Sequence, residues 1–272
     1  MARFLIMTGG LGNQMFEYAM LLALRSRGYN IKMDISYYDF FQMHNGYELE
    51  RVFGIKEEVI NKQGIHMYWL RSLHRLRPRC LYKFDSFCFD ESLLQHPLRY
   101  LFGYWQDEQY FVDIQDVVRN SFNFVGVDER NDEIAKEMLS CNSVSLHIRR
   151  GDYNEFGMTL IGKDYYKNAI QYIKERVDNP VFYIFSDDIE ESKAIADEMH
   201  INYQLISHNR GNSSYKDMFL MSRCRHNIIA NSSFSWWGAW LNNNSGKIVV
   251  APQIWENKKS GFKPQVKTWK LL

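Results

Sequence analysis

From Ser143 onward the chain repeats one pattern: a short apolar run, a polar turn, then a stretch of helical period. The apolar runs fall at 143–148, 181–185, 201–206, 226–230 and 247–251, and the helical stretches near 163–177, 188–199, 213–223 and 233–242. Strands this apolar need cover on both faces, and connections of this length return the chain over the sheet. The pattern therefore predicts a parallel, doubly wound, Rossmann-like unit. The amino-terminal end opens in the same way. Arg3–Met7 reads as a buried strand, Thr8–Asn13 as a glycine turn and Asn13–Arg27 as a helix with Met15, Phe16, Ala19, Met20, Leu22 and Ala23 at helical spacing. Gly28 stops that helix and Asn30–Ile35 supplies a second strand, which completes a βαβ opening.

Between these regions the pattern weakens. Tyr37–Arg79 is aromatic and basic, with short helical signals at Leu49–Phe53 and His66–Leu76. A strand at Leu98–Tyr104 and a helix at about Glu108–Arg119 return to the first half, and the acidic Asp128–Leu139 reads as a helix crossing between domains. With 272 residues and 46% hydrophobic content, two domains are expected, an N-terminal domain at 1–127 and a C-terminal domain at 128–272.

Charge and cysteine usage narrow the function. Thirty-three basic and 32 acidic residues leave a formal charge of +1, which gives no global reason to expect nucleic acid; any anion site must be local. Cys80, Cys88, Cys141 and Cys224 are too widely spread for a Cys-x-x-Cys site, so no metal is expected. The run Met1–Met7 is too short for a signal-peptide core, and no segment approaches the roughly 18 apolar residues of a spanning helix. A cytoplasmic protein is expected. Arg71, Arg75, Arg77, Arg79 and Lys83, interleaved with leucines, read as a solvated basic face or as a peripheral contact with the inner membrane surface.

In a parallel sheet, ligands bind outside the carboxyl ends of the strands. Three polar motifs occupy that edge in the second half. Arg149–Asp152 follow its first strand, Ser186-Asp187-Asp188 its second, and Asn231–Ser235 its fourth. Gly9–Gln14, with Gly10 and Gly12 as candidate ligand-binding positions, holds the same place in the first half, so that two facing edges would enclose a cleft. Arg149 offers a planar fork to phosphate oxygens. Ser232 and Ser233 place hydroxyls at the positive end of a helix dipole. Asp187 or Asp188 can accept from guanine N1–H and its amine, or bind ribose hydroxyls. The chemistry suggested is recognition of a nucleoside diphosphate.

Each group also has a plainer reading. Arg149-Arg150 is alternatively a solvated pair, and His147 a hydrogen-bonded core histidine. Asp152 is an ion-pair anchor as readily as a catalyst, and Asp187-Asp188 a helix cap. Trp236, Trp237 and Trp240 stand where a helix packed on a sheet needs apolar side chains; a sugar platform is the alternative. Met15 occupies the third glycine position of a dinucleotide fingerprint, which counts against a nicotinamide enzyme, and no P-loop motif occurs.

Four ordered segments, Gly9-Gly-Leu-Gly-Asn-Gln-Met-Phe-Glu-Tyr-Ala19, His147-Ile-Arg-Arg-Gly-Asp-Tyr153, Phe185-Ser-Asp-Asp188 and Asn231-Ser-Ser-Phe-Ser-Trp-Trp-Gly-Ala-Trp-Leu241, resemble the signatures of the α-1,2-fucosyltransferases of glycosyltransferase family 11. The resemblance spans almost the whole chain. It implies an α/β, GT-B-like fold of two Rossmann-like domains facing a cleft. It also implies GDP-β-L-fucose as co-substrate and inverting transfer to O2 of a terminal galactose, on an oligosaccharide or lipid-linked glycan, with no cofactor or metal required. By the same resemblance Arg149 is the essential arginine, and His147 and Asp187 contact the nucleoside. Ser232, Ser233 and Phe234 surround the phosphates and fucose, and Asn13 reaches across from the first domain. The general base is left open among Asp152, Glu155 and Glu17. Rival expectations are a GDP-sugar transferase making an α-1,3 or α-1,6 linkage, and a non-catalytic carbohydrate-binding protein using its 15% aromatic residues as platforms.

Overall fold

The computed structural model describes residues 3–39, 44–60, 82–84, 88–149, 159–256 and 262–272. The chain divides into two compact units, Met1–Val125 and Gly126–Leu272.

In the first unit, strands β1 (Arg3–Ile6), β2 (Ile31–Asp34), β3 (Val59–Ile60), β4 (Tyr82–Phe84) and β5 (Tyr100–Phe102) form a parallel sheet in the order β3-β2-β1-β5-β4. Helix α1 (Leu11–Ser26) connects β1 to β2 and buries Leu11, Met15, Phe16, Met20, Leu21 and Leu24. It ends where the Gly28 N–H reaches back to the Arg25 carbonyl, at φ +84°, a conformation only glycine adopts without strain. Helices α2 (Leu49–Phe53), α3 (Ser92–Gln95) and α4 (Gln115–Ser121) complete the described part of this unit. The single helix expected over 108–119 is broken into two 3-10 turns, Glu108–Tyr110 and Val112–Ile114, before α4 begins. The backbone leaves helical geometry at Phe111 (φ −135°, ψ 13°) and again at Ile114 (φ −124°, ψ 24°), while Tyr110 and Phe111, both 1% exposed, turn into the core, Phe111 against Phe16. The strand expected over 98–104 is shorter, Tyr100–Phe102, and the chain turns away soon after it, where Trp105 takes φ +51°.

The second unit begins with α5 (Glu129–Ser140), whose N-cap Asp128 accepts from the Asn131 N–H at 2.9 Å. It belongs to this unit and is not a crossing helix. Strands β6 (Ser143–Ile148), β7 (Val181–Ser186), β8 (Asn202–Ile206), β9 (His226–Ile228), β10 (Val249–Ala251) and β11 (Lys270–Leu271) form a parallel sheet in the order β11-β10-β9-β6-β7-β8. The connecting helices are α6 (Lys163–Lys174), α7 (Ile189–Glu198), α8 (Tyr215–Arg223) and α9 (Ser233–Leu241).

Strand β6 is buried along its whole length. Val144, Leu146 and Ile148 join Tyr166, Ile170 and Ile173 of α6 in one apolar cluster. Each fully buried side chain of this kind contributes about 1.5–3 kcal/mol. On the other face Ser145 accepts from Asn227 Nδ2 at 2.7 Å, so a polar side chain is tolerated because it is paired. Trp236, Trp237 and Trp240 are at most 4% exposed, and Trp236 Nε1 donates to the Pro264 carbonyl at 2.6 Å. They are core, not a sugar platform. Gly238 lets α9 approach α8 closely: a Cβ there would lie 2.8 Å from Met221 Cβ. Among the described residues no helix is long and apolar enough to cross a membrane.

Candidate active site

Counted from its own first strand, the second sheet has the order 3-2-1-4-5-6, so successive connections leave β6 in one direction and then, at β9, in the other. That reversal of strand order between β6 and β9 is the switch point at whose carboxyl edge dinucleotide-binding sheets hold their ligands. Arg149 follows β6, and Asn231-Ser232 follow β9. The pairing of Ile148 with Ser186 sets Arg149 beside Asp187.

Arg149 Nε lies 3.2 Å from Asp187 Oδ2, with the two side chains 31% and 27% exposed. Partial exposure makes the pair worth little to stability, yet it fixes the direction of the guanidinium. A guanidinium carries five N–H donors, and this contact engages the one on Nε. The pairing of Asp187 with the arginine was not expected from the sequence, which offered it nucleoside contact or a helix cap and assigned the ion-pair role to Asp152. Asp188 has the capping role: its Oδ1 accepts from the Glu191 N–H at 3.0 Å at the start of α7. The Ser186 hydroxyl accepts from the Asp188 N–H and donates to the Asp188 carbonyl, both at 3.0 Å, which closes the turn between them.

The amino end of α9 is built differently. Its N-cap Ser232 is extended, at φ −130° and ψ 127°, its hydroxyl does not turn back onto the helix, and the first turn holds no acidic residue. The first hydrogen bond of the helix runs from Trp236 N–H to the Ser232 carbonyl at 2.9 Å. The preceding N–H groups form a neutral, positively polarised end suited to an anion. By contrast, Asp188 caps α7, with Glu190 and Glu191 in its first turn.

His147 couples these two parts. It is 6% exposed, and its ring centroid lies 6.3 Å from that of Phe234 in the first turn of α9. Burial, with a smaller push from the Arg149 charge, lowers its pKa to about 3, so the ring is neutral near pH 7. Its buried Nδ1 has no hydrogen-bond partner among the described residues. Half of the core reading therefore holds: the ring is buried, but this nitrogen is not bonded.

Asn231, expected among the donor-binding groups, is 3% exposed, and its Nδ2 donates to the Thr159 and Trp255 carbonyls at 2.8 and 2.9 Å. Tyr165 likewise donates to the Ile229 and Val250 carbonyls at 2.7 and 3.1 Å and ties the ends of β9 and β10 together. Neither connection has a signal in the linear pattern. Asp152, Glu155 and Arg150 lie outside the described residues, as do Arg71, Arg75, Arg77 and Arg79 of the basic stretch.

In the first unit, Gly10 is the N-cap of α1 and Gly12 lies within its first turn, so the glycine turn is shorter than expected. Gly9 takes φ +70°, and the Tyr38 hydroxyl donates to its carbonyl at 2.8 Å. A Cβ on Gly10 would lie 3.1 Å from the His44 ring. Asn13 Oδ1 accepts from Gln106 Nε2 at 2.7 Å. Glu17, one of the base candidates, is fully buried; its carboxylate accepts from the Thr8 N–H at 3.0 and 3.1 Å and from the Thr8 hydroxyl at 2.9 Å. That carboxylate anchors the turn. Gln106 and His44 were not singled out by the sequence, because each comes to the turn from a distant loop.

Comparison with known proteins bears on this geometry. The chain is 34% identical over 280 residues to an α-1,2-colitosyltransferase of Escherichia coli, covering 97% of this chain and 96% of that protein. It is 24% identical over 250 residues to galactoside α-(1,2)-fucosyltransferase 1 of Rattus norvegicus, covering 86% of this chain and 61% of that protein. Among solved structures, the fucosyltransferase NodZ from Bradyrhizobium superposes with a TM-score of 0.55 at 14% identity, over 87% of this chain and 91% of that one, which supports a GT-B-like α/β fold. The family model for glycosyl transferase family 11 matches residues 4–269, and the chain belongs to that family of glycosyltransferases.

Proposed function

We propose that the protein transfers L-fucose from GDP-β-L-fucose to O2 of a terminal galactose, with inversion and without a metal ion. One observation carries the reading: Arg149, oriented by Asp187, directly follows the strand whose buried His147 packs against the first turn of α9, so a fixed cation and an uncapped helix end lie at the same edge of the sheet. That arrangement suits a diphosphate leaving group. In the reaction the bond from fucose C1 to the β-phosphate oxygen breaks while one from C1 to the galactose oxygen forms on the opposite face. Negative charge grows on GDP, where Arg149 and the N–H groups at Ser233 stabilise it. The hydroxyl proton goes to a base, for which Asp152 and Glu155 are the candidates. Ser232, Ser233 and Phe234 face the phosphates and sugar. The acceptor is a galactose-terminated oligosaccharide or lipid-linked glycan, the latter calling for peripheral contact with the inner membrane surface.

A second reading is favoured by the 34% identity to a colitosyltransferase: the donor sugar is colitose, which lacks a ring hydroxyl that fucose carries. A site that hydrogen-bonds that hydroxyl rejects the deoxy sugar by about 10⁴–10⁵, whereas a merely apolar pocket discriminates by about 10² or less. Both GDP-sugars are offered with a panel of β-galactosides, with and without EDTA, and products are read by mass and linkage. An α-1,2-fucosylated product that survives EDTA supports the proposal. Transfer from GDP-colitose alone would favour the second reading, and an α-1,3 or α-1,6 linkage would overturn the assigned regiochemistry.

A further inference from the structure

Strands β10, β9 and β6 are consecutive neighbours in the second sheet, and Asn231 begins the loop after the middle one. A primary amide has two N–H donors on one nitrogen. In Asn231 that nitrogen reaches the Thr159 carbonyl, in the segment that leads from β6 into α6, and the Trp255 carbonyl, in the segment after β10. The two segments are also joined directly, because Thr159 Oγ1 donates to Glu256 Oε1 at 3.1 Å. A buried side chain on the central loop thus holds the loops on either side. The residue after it is Ser232, the N-cap of α9.

We propose that Asn231 is a positioning residue that aims the first-turn N–H groups of α9 at the leaving phosphate by stapling three loops at one buried point. The inference rests on the transferase reading above. No other side chain of this length fits the role. Aspartate has the same shape but no donor when ionised, and it would set a negative charge against two carbonyl oxygens; serine donates once, and alanine not at all. The effect on turnover follows from preorganisation: a displacement of about 1 Å in a group that stabilises the transition state costs about 100-fold in rate.

Asn231→Ala, Asn231→Asp and Asn231→Ser are compared with wild type by hydrogen exchange, by GDP titration and by steady-state transfer at saturating donor and acceptor. Titration gives the fraction of binding-competent molecules, so turnover is expressed per competent site. In Asn231→Ala, backbone amides around 159–162 and 253–256 exchange faster, and kcat per competent site falls about 100-fold. Asn231→Ser regains part of that loss, and Asn231→Asp regains none. A merely structural role predicts fewer competent molecules with kcat per site within about threefold of wild type, and that result overturns the proposal. If Asn231→Ala does not fold, Asn231→Ser decides by the same ratio. If wild type transfers no sugar from any GDP-sugar, the proposed function fails; GDP affinity then judges the staple, and an unchanged affinity in a variant with loosened loops overturns it.

Discussion

Replacing Arg149 by alanine should separate catalysis from stability. The pair it makes with Asp187 is 31% and 27% exposed, so its net contribution to folding is about 0–1 kcal/mol. For a unit of this size that corresponds to a fall in Tm of about 2–4 °C at most. The catalytic term is larger. A preorganised donor aimed at charge that develops in the transition state is worth about 3–4 kcal/mol, or about 10²–10³ in kcat. Arg149→Lys keeps a charge but loses the planar fork, and should fall between the two. Asp187→Asn leaves the cation in place without its charged partner, and should cost less than Arg149→Ala. Transfer is measured by GDP release and by mass of the product, alongside thermal denaturation of the same preparations. A kcat for Arg149→Ala within about threefold of wild type, with Tm unchanged, would refute the assignment of Arg149 to the leaving group.

Three further outcomes follow from buried groups. His147 stays neutral until about pH 3 in the folded protein, whereas the unfolded chain protonates near 6.5; its contribution to stability is present above 6.5 and lost as pH falls toward 3, so Asn in its place should flatten the acid limb of denaturation curves, and equal slopes would count against this. Asp217 has the opposite sign: burial raises its pKa from 3.8 to about 7 despite the Asn209 amide 2.8 Å away, so stability declines as pH rises from about 4 to 7, and Asp217→Asn should gain most over wild type above pH 7 in urea titrations. Gly238→Ala gains about 0.5–1 kcal/mol of helix propensity but drives a Cβ to 2.8 Å from Met221 Cβ, and overpacking of about 1–3 kcal/mol wins; a raised Tm would refute the clash.

The second sheet was legible because its central strands are short buried runs closed by polar turns: β7 is apolar almost throughout, and β6 alternates Val144, Leu146 and Ile148 with Ser145 and His147. Strands β6 and β7 fall within a residue of their expected bounds, as do both ends of helix α9. What the pattern missed was short or strained. Strands β3, β4 and β11 are two or three residues long and carry no periodicity. The helix expected over 108–119 is interrupted where the backbone leaves the helical region at Phe111 and Ile114, a break that apolar spacing does not register. Local composition also could not say what the acidic helix α5 packs against, since its partner α8 lies far along the chain.

The site divides along the same line. Its charges were readable, because a cation after a buried strand and a polar turn before an apolar helix are local facts; Arg149 and Ser232 needed only the rule about strand ends. The division of labour among the polar groups was not readable. Asp187 and Asp188 are adjacent and chemically identical, yet one faces a guanidinium and the other caps a helix, and the difference comes from the register of β7 against β6. Asn231 looked like a ligand because it opens a polar motif. Its amide nitrogen instead meets two carbonyls, 72 and 24 residues away in sequence, that reach it only when three parallel strands lie side by side, which is the basis of the positioning role proposed above. Motifs therefore identify where chemistry gathers, and long-range hydrogen bonds decide which members touch the ligand and which hold the others in place. On that logic the remaining serine, Ser186, whose hydroxyl is engaged within its own turn, should tolerate replacement by threonine with little change in turnover, while Ser233→Pro, which removes an N–H from the end of α9, should not.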